Sequence, residues 1–299
     1  MFVIFWINFY TITMLLYNQI TSLDSKKLKK IMSQLLKEDI PKGDLTTQNI
    51  ISLNQTGEYV FRARDNMIFC GGPIIQNTFS KQVVVKLLVK EGQYIKKGDD
   101  LGTIKGSVRE ILTKERLVLN MIQHLSGISS NTQQYISKLN NSKIKIIDTR
   151  KTTPGLRLLE KYAVNKGGGY NHRLDLSSGI MVKDNHLINS NVDNIYKKLK
   201  KLKKKIPIQI EVDNINQITQ RSVDLVDAFL LDNMSPAKIK QCIIKIKKLK
   251  KTLNKIFIEV SGGVTLKTIS KFNIKGVSGI SIGALTHQSQ SVDIGLDIK

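Results

Sequence analysis

The sequence predicts an α/β protein in two parts: a mixed α+β unit, then a series of βα units forming an open sheet or barrel. Three observations predict it. Between Gly57 and Gly106 short β-type runs are punctuated by glycine. From Ile144 onward short apolar runs recur about every 20 to 35 residues, most of them separated by helical patterns, and strands alternating with helices make a parallel sheet. Polar and glycine residues then gather at the C-terminal ends of those runs, where an α/β barrel places its site.

Taken in order, the first segment is unusual. Met1 to Tyr17 is almost wholly apolar, broken by Asn8, Thr11 and Thr13. It is borderline for a membrane span, which needs about 20 apolar residues. It also lacks the basic start and small-residue cleavage site of a signal peptide. The expectation is an extension that packs on the protein or on a partner subunit, or a start codon placed too early.

Ser25 to Leu36 carries Leu28, Ile31, Met32, Leu35 and Leu36 at helical spacing, and Ile40 to Asp44 reads as a turn. The β runs follow at Tyr59 to Ala63, Val83 to Val89, Tyr94 and Leu101 to Ile104, with Glu91 to Asp99 as a tight turn region. A long helix is predicted from about Val108 to Leu139.

The second part has strand-like runs at Ile144 to Ile147, Gly179 to Val182, Ile208 to Val212, Ala228 to Leu231, Ile256 to Val260 and Val277 to Ile282. Helical patterns lie at Ile195 to Leu202 and Pro236 to Leu249. A complete eight-unit barrel needs more chain than this. No GxGxxG follows a strand, so a dinucleotide-binding unit is disfavoured.

Composition sets the outer limits. The 299 residues suffice for one large domain or two modest ones. The formal charge of +23 raises the question of nucleic acid. The excess, however, is mostly lysine on helix faces, as in Lys197 to Lys205 and Lys245 to Lys251. No interleaved aromatics or finger spacing accompany these runs, so they read as solvated faces. Cys70 and Cys242 stand in no metal or redox spacing, which fits a reducing compartment.

Six strand ends carry the chemistry. They are Asp148 to Thr153, Lys183 to His186, Glu211 to Asn214, Asp232-Asn233, Ser261-Gly262-Gly263 and Ser281-Ile282-Gly283. Arg150, Lys151, Arg173 and Lys183, with His172 and His186 nearby in sequence, make a basic cluster suited to carboxylates and phosphates. The two glycine-containing turns can present backbone N–H groups to a phosphate. Gly167-Gly168-Gly169 permits close backbone approach, although a triple glycine alone equally describes a flexible loop. Glu211 and Asp232 can hold ribose hydroxyls or Mg²⁺, stabilise a developing cation, or serve as plain salt-bridge partners.

Several strings together resemble the quinolinate phosphoribosyltransferases. They are TRKTTPGLR (Thr149 to Arg157), EKYAVNKGGGYNHRLDL (Glu160 to Leu176), MVKDNH (Met181 to His186), EVDN (Glu211 to Asn214), LLDN (Leu230 to Asn233), EVSGGV (Glu259 to Val264) and SIGALTH (Ser281 to His287). EDIPKGDLTT (Glu38 to Thr47) and ERLVLNMIQHLSGI (Glu115 to Ile128) precede them in the order of that family. The resemblance spans about residues 25 to 298.

The resemblance implies an N-terminal α/β sandwich domain over 25–140 and an open, roughly six-stranded α/β barrel of the type II phosphoribosyltransferase kind over 141–285. An apolar extension occupies 1–24, and a C-terminal segment over 286–299 returns to the N-terminal domain. The implied reaction transfers the phosphoribosyl group of phosphoribosyl pyrophosphate to quinolinate with decarboxylation, giving nicotinate mononucleotide, pyrophosphate and carbon dioxide in NAD biosynthesis. The implied setting is a cytoplasmic homodimer with shared sites, or a hexamer, with Mg²⁺ and without nucleic acid or membrane.

By motif position, Arg150, Lys151, His172 and Arg173 resemble the carboxylate clamp, Thr149 is a further substrate-binding residue, and Arg116 resembles the arginine that reaches a neighbouring subunit. Lys183, Glu211 and Asp232 resemble the groups around the ribosyl pyrophosphate and its metal. Ser261, Gly262, Gly263, Ser281, Ile282 and Gly283 resemble the phosphate cradle, with His287 beside it. Lys151, Lys183, Glu211 and Asp232 are the expected catalytic residues, and no covalent nucleophile is expected.

Overall fold

The computed structural model describes residues 16–183, 186, 192–202, 206–250 and 256–299. The apolar run from Met1 therefore lies outside the described residues except for Leu16 and Tyr17. So do Asp184 and Asn185 of the MVKDNH string, Lys203 to Lys205 and Lys251. Among the described residues no helix is long and apolar enough to cross a membrane.

Helix α1 (Ser25–Asp39) starts where Asp24 accepts a hydrogen bond from the Lys27 amide at 2.8 Å, capping an otherwise open helix end. It buries Leu28 and Met32. A short helix α2 (Leu45–Ile50) follows, and then β1 (Thr56–Ala63), β2 (Met67–Ile68), α3 (Gly72–Thr78), β3 (Val84–Leu87), β4 (Tyr94–Ile95) and β5 (Asp100–Ser107). The long helix α4 (Val108–Leu139) spans the predicted range. It ends at Asn140, which adopts the left-handed conformation (φ 47°) that asparagine tolerates at a helix C-terminus.

The remaining units are β6 (Lys145–Ile147), α5 (Arg157–Lys166), β7 (Ile180–Val182), α6 (Val192–Leu202), β8 (Ile208–Val212), α7 (Gln220–Leu225), β9 (Ala228–Asp232), α8 (Pro236–Leu249), β10 (Phe257–Ser261), β11 (Gly279–Ser281), the short helix α9 (Ala284–His287) and β12 (Ile294–Ile298). Two sheets organise them. An antiparallel sheet runs β12-β1-β5-β3, so five residues near the chain's end pair with β1, Tyr59 opposite Ile298 and Ala63 opposite Ile294. A parallel sheet runs β6-β11-β10-β9-β8-β7. Its two edges, β6 and β7, do not pair with each other, so the barrel is open.

The parallel strands explain the burial pattern. Ile208, Ile210, Val212, Phe229, Leu231, Ile258, Val260 and Ile280 belong to the large apolar core. The alternate residues form the concave face. At one level Ile147, Ala228 and Phe257 form a small apolar floor that Leu16 and Tyr170 cover. Gln209, Glu211, Asp232, Glu259, Ser261 and Ser281 share that face's alternation, so a polar surface lines the inside of a sheet whose other face is oil-like.

Candidate active site

The Thr149–Thr153 loop follows β6 and is tied down from two sides. The Thr153 amide donates to Glu160 Oε2 at 3.2 Å, and His124 of α4 meets Glu160 Oε1 at 2.9 Å. Glu160 is fully buried; burial pushes its carboxyl up, but the His124 and Thr153 hydrogen bonds bring it below the ordinary value. Thr286 Oγ1 of α9 donates to the Lys151 carbonyl at 2.7 Å. A Cβ at Gly283 would lie 3.0 Å from His287 Nε2 and 3.1 Å from Lys151 Cδ, so Lys151, Gly283 and His287 crowd together.

The segment after α5 is suspended from a buried ion pair. Asp148 and Lys161, both without exposed side-chain surface, are bonded to each other. Asn171 Nδ2 donates to Asp148 Oδ2 at 2.7 Å, the His172 amide donates to Oδ1 at 2.8 Å, and Lys161 Nζ also reaches the His172 carbonyl at 3.1 Å. Charge and donors are thus matched, as a buried pair requires. Arg173 continues from this anchor, and its Nη1 donates to the Gly179 carbonyl at 2.9 Å. Arg150, Arg173, Met181, Lys183 and His186 line one cavity of about 570 Å³, within the range that holds a small ligand.

On the next strand Lys183 Nζ donates to Glu211 Oε2 at 2.6 Å. Asp232 ends β9 level with Ser261 of β10, and Asn233 Nδ2 donates to Asp232 Oδ2 at 2.8 Å. Gly262 has φ +92°; a Cβ there would sit 2.8 Å from the Asn233 nitrogen and closer still to Asn233 Oδ1, so only glycine fits. Gly263 (φ +62°) faces open space. Ser281 and Ile282 are buried, and the Ile282 amide is committed to the Ile147 carbonyl at 2.9 Å.

The strand-end residues therefore share one rim. Thr149, Arg150, Lys151 and Gly283 stand at one side, Arg173 and Lys183 at the other, with Glu211, Asp232 and Ser261–Gly263 between. Among the described residues neither Arg150 nor Lys151 makes an ion pair, whereas Lys183 is held by Glu211. Arg116 is exposed on α4, and no hydrogen bond or ion pair among the described residues joins it to the rim. His172 is set deeper than its motif position suggests. The Arg173 amide donates to its Nδ1 at 2.7 Å, so Nε2 carries the ring proton and points at Gln209 Oε1, 3.2 Å away.

Matches to known proteins follow the same pattern. The N-terminal domain model of quinolinate phosphoribosyl transferase matches residues 44–126, and the C-terminal domain model matches residues 128–297. The chain belongs to the quinolinate phosphoribosyltransferase family. A protein of Bacillus subtilis described as a probable nicotinate-nucleotide pyrophosphorylase (carboxylating) is 39% identical over 279 residues, 91% of this chain and 93% of that protein. The nicotinate-nucleotide pyrophosphorylase structure from Francisella tularensis superposes with a TM-score of 0.84 at 31% identity, covering 95% of this chain and all of that one. The NadC crystal structure from Streptococcus pyogenes gives 0.85 at 35% identity, covering 93% and 98%. Family membership accounts for both the antiparallel sheet and the open six-stranded one.

Reading by motif found the rim but not the layer beneath it. Lys161, Gln209 and Glu259 were not singled out, nor was Tyr17. One signal was present: a buried parallel strand reads as a continuous apolar run, so Gln209 in IQIEV and Glu259 in FIEVS are anomalies that mark the concave face.

Proposed function

We propose that the protein transfers the phosphoribosyl group of phosphoribosyl pyrophosphate to the nitrogen of quinolinate and releases pyrophosphate and carbon dioxide, leaving nicotinate mononucleotide. The observation that carries this reading is the union of unpaired cations with glycine turns on one rim. Among the described residues Arg150 and Lys151 form no ion pair with a carboxylate, and Arg173 lines the cavity that Arg150 and Lys183 share. Such a site is short of negative charge, and a pyridine dicarboxylate beside a pyrophosphate supplies it.

Arg150, Lys151 and Arg173 hold the carboxylates and aim the ring nitrogen at the anomeric carbon, which turns a two-body encounter into a positioned attack. Ser261–Gly263 and the turn at Gly283 receive the phosphate groups, with the buried Ser281 and Ile282 supporting that turn from below. As pyrophosphate leaves, positive charge grows on the ribose, and Glu211 and Asp232 are the carboxylates placed to stabilise it. The C–N bond forms as the C–O bond breaks. The positive charge on the alkylated ring nitrogen then stabilises the electron pair left on the adjacent ring carbon when its carboxylate departs as carbon dioxide, and that pair bonds a proton. No protein nucleophile enters this scheme.

Mg²⁺ fits the donor set in a limited way. Among the described residues no three carboxylate, histidine or cysteine groups converge on one point. Asp232 is the freer carboxylate and Glu211 is engaged by Lys183, so these two residues would hold the ion alongside oxygens of the substrate, as Mg²⁺ sites commonly do. When bound it neutralises charge on the leaving pyrophosphate. Arg116, exposed on α4 and joined to the rim by no hydrogen bond or ion pair among the described residues, supports a homodimer in which it completes the neighbour's site. Two buried, free cysteines fit a reducing cytoplasm.

The test is turnover of purified protein with quinolinate, phosphoribosyl pyrophosphate and Mg²⁺, following nicotinate mononucleotide and carbon dioxide together. Equal formation of both, dependent on Mg²⁺, is expected. Turnover of nicotinate without carbon dioxide, and none with quinolinate, would overturn the proposal in favour of the sister activity.

A further inference from the structure

Below the rim lies a closed polar ring that the reaction does not use directly. Gln209 Nε2 donates to Glu259 Oε2 at 2.8 Å, and the same Glu259 oxygen is 3.5 Å from His172 Nε2, which also meets Gln209 Oε1 at 3.2 Å. Gln209 and Glu259 have almost no exposure, and His172 very little. The fourth member comes from the far end of the sequence. Tyr17 donates its hydroxyl to Gln209 Oε1 at 3.2 Å, and its ring packs on His172 with centroids 4.7 Å apart.

The backbone around Tyr17 sits where the open barrel has no strand. Residues 170–172 run beside β6: the Tyr170 amide donates to the Ile146 carbonyl and the Asp148 amide to the Tyr170 carbonyl, at 2.8 and 2.9 Å. The Gln19 side chain imitates a strand partner for this segment, donating to the Asn171 carbonyl at 3.1 Å and accepting from the Asn171 amide at 2.7 Å. The Ile20 amide adds a bond to Asn171 Oδ1 at 2.7 Å. On the opposite side Tyr17 presses on Gly179, just before β7; a Cβ there would lie 2.6 Å from Tyr17 Cε1. The segment 17–20 thus spans the gap between the two edges of the sheet. Both of its contacts, the His172 ring and Gly179, touch Arg173, whose amide donates to His172 Nδ1 and whose guanidinium donates to the Gly179 carbonyl.

We infer that Tyr17 is a positioning residue for the pyridine end of the site: it closes the barrel's gap and, with Gln209 and Glu259, fixes the His172 ring and so the direction of the Arg173 guanidinium. His172 acts through Arg173, since both of its ring nitrogens are committed inside the protein. The inference rests on the proposed use of quinolinate, and it gives the residues ahead of α1 a task in substrate selection.

The experiment uses the full chain and three variants. Tyr17→Leu keeps apolar bulk in the gap but removes the ring contact and the hydroxyl. Gly179→Ala presses the ring from the other side. Tyr17→Phe restores the ring without the hydrogen bond. Tyr17→Leu should raise the KM for quinolinate about tenfold, the equivalent of ~1.4 kcal/mol, while the KM for phosphoribosyl pyrophosphate stays within about twofold and the thermal transition is unchanged. Gly179→Ala should move the same constant in the same direction, and Tyr17→Phe should recover most of it, because a single neutral hydrogen bond contributes modestly. An unchanged quinolinate KM in Tyr17→Leu overturns the inference. So does an equal rise in both KM values with a lowered transition, which would make Tyr17 merely structural. A wild type silent with quinolinate removes the functional proposal and this inference together, whereas an active wild type with an unaffected Tyr17→Leu removes only the latter.

Discussion

Replacing Asp148 by Asn strikes the anchor of the site while keeping its shape. Asp148 and Lys161 have side chains with no exposed surface, and among the described residues Lys161 Nζ hydrogen-bonds otherwise to the His172 carbonyl alone, at 3.1 Å. Asparagine keeps one acceptor oxygen but turns the other position into a donor. That donor faces Asn171 Nδ2, now 2.7 Å from an acceptor. The substitution therefore leaves a buried cation without its counter-charge and sets two donors against each other. Breaking a buried ion pair in this way costs about 3–5 kcal/mol. At roughly 2–4 °C per kcal/mol for a chain near this size, the thermal midpoint should fall by about 6–20 °C. Denaturant titration with the slope held common to both proteins reads the loss directly. The double variant Asp148→Asn with Lys161→Met removes the stranded charge and should recover most of the loss. A single-variant loss under about 1 kcal/mol would refute the view that this pair carries the His172–Arg173 segment. A double variant no better than the single would assign the effect to lost hydrogen bonds and not to charge.

Four further outcomes are expected. Lys151→Ala and Arg173→Ala should each lower kcat/KM by about 10²–10³ with circular dichroism unchanged, because each removes a charged donor from a reacting ligand; near-normal kinetics would take that residue out of the site. Gly262→Ala forces a positive φ on a side chain that collides with Asn233, so it should destabilise the protein by about 1–3 kcal/mol and raise the KM for phosphoribosyl pyrophosphate more than that for quinolinate. On acidification, the buried Glu160 and Glu259 contribute to the response. Burial pushes both carboxyls up, but His124 and Thr153 around Glu160, and His172 and Gln209 around Glu259, bring them below the ordinary value. A carboxyl lowered in the folded state contributes stability above its unfolded pKa and loses it as pH falls, so urea midpoints should decline below about pH 4.3, and Glu160→Gln should flatten that decline. Finally, mixing inactive Arg116→Ala with inactive Lys151→Ala should restore up to about a quarter of wild-type activity if subunits exchange at random and complete each other's sites; no recovery after verified exchange would place Arg116 elsewhere.

Much of the fold was legible because it is written in local periodicity. The α4 and α8 ranges, and most strand positions, follow directly from apolar spacing. Helix α5 was not legible, for a physical reason: RLLEKYAVNK carries Glu160 and Lys161 on its buried side, so charges that normally mark a solvent face conceal the inward one. Strand β12 was missed as a strand because what makes it one is β1, more than two hundred residues earlier. At the site, residues at strand ends were readable from motif and position. Tyr17 was not, since its partners His172, Gln209 and Gly179 are gathered only by the open gap of the sheet. Arg116 shows the opposite limit: the motif picks it out, yet one chain gives it no neighbour at the rim.

The arrangement of charge explains why so basic a protein can still be selective. Four cations, Arg150, Lys151, Arg173 and Lys183, face two carboxylates, Glu211 and Asp232, at the rim. That imbalance opposes folding through self-repulsion, and a polyanionic ligand relieves it. The lysines on α6 and α8 belong to a different regime. Charges exposed to solvent are screened over about 8 Å at physiological salt, so they act on the rate of encounter more than on the strength of binding. Under the proposed function affinity rests on groups whose directions are fixed: Arg173 by Gly179 and the His172 anchor, and the Thr149–Thr153 loop by Glu160. A surface field does not distinguish a dicarboxylate from any other anion. Guanidinium and ammonium groups held by a buried framework do, because a ligand whose carboxylates do not meet them leaves charge unpaired in a partly dry cavity. On the proposed roles of these residues, selectivity belongs to the layer beneath the rim as much as to the rim itself.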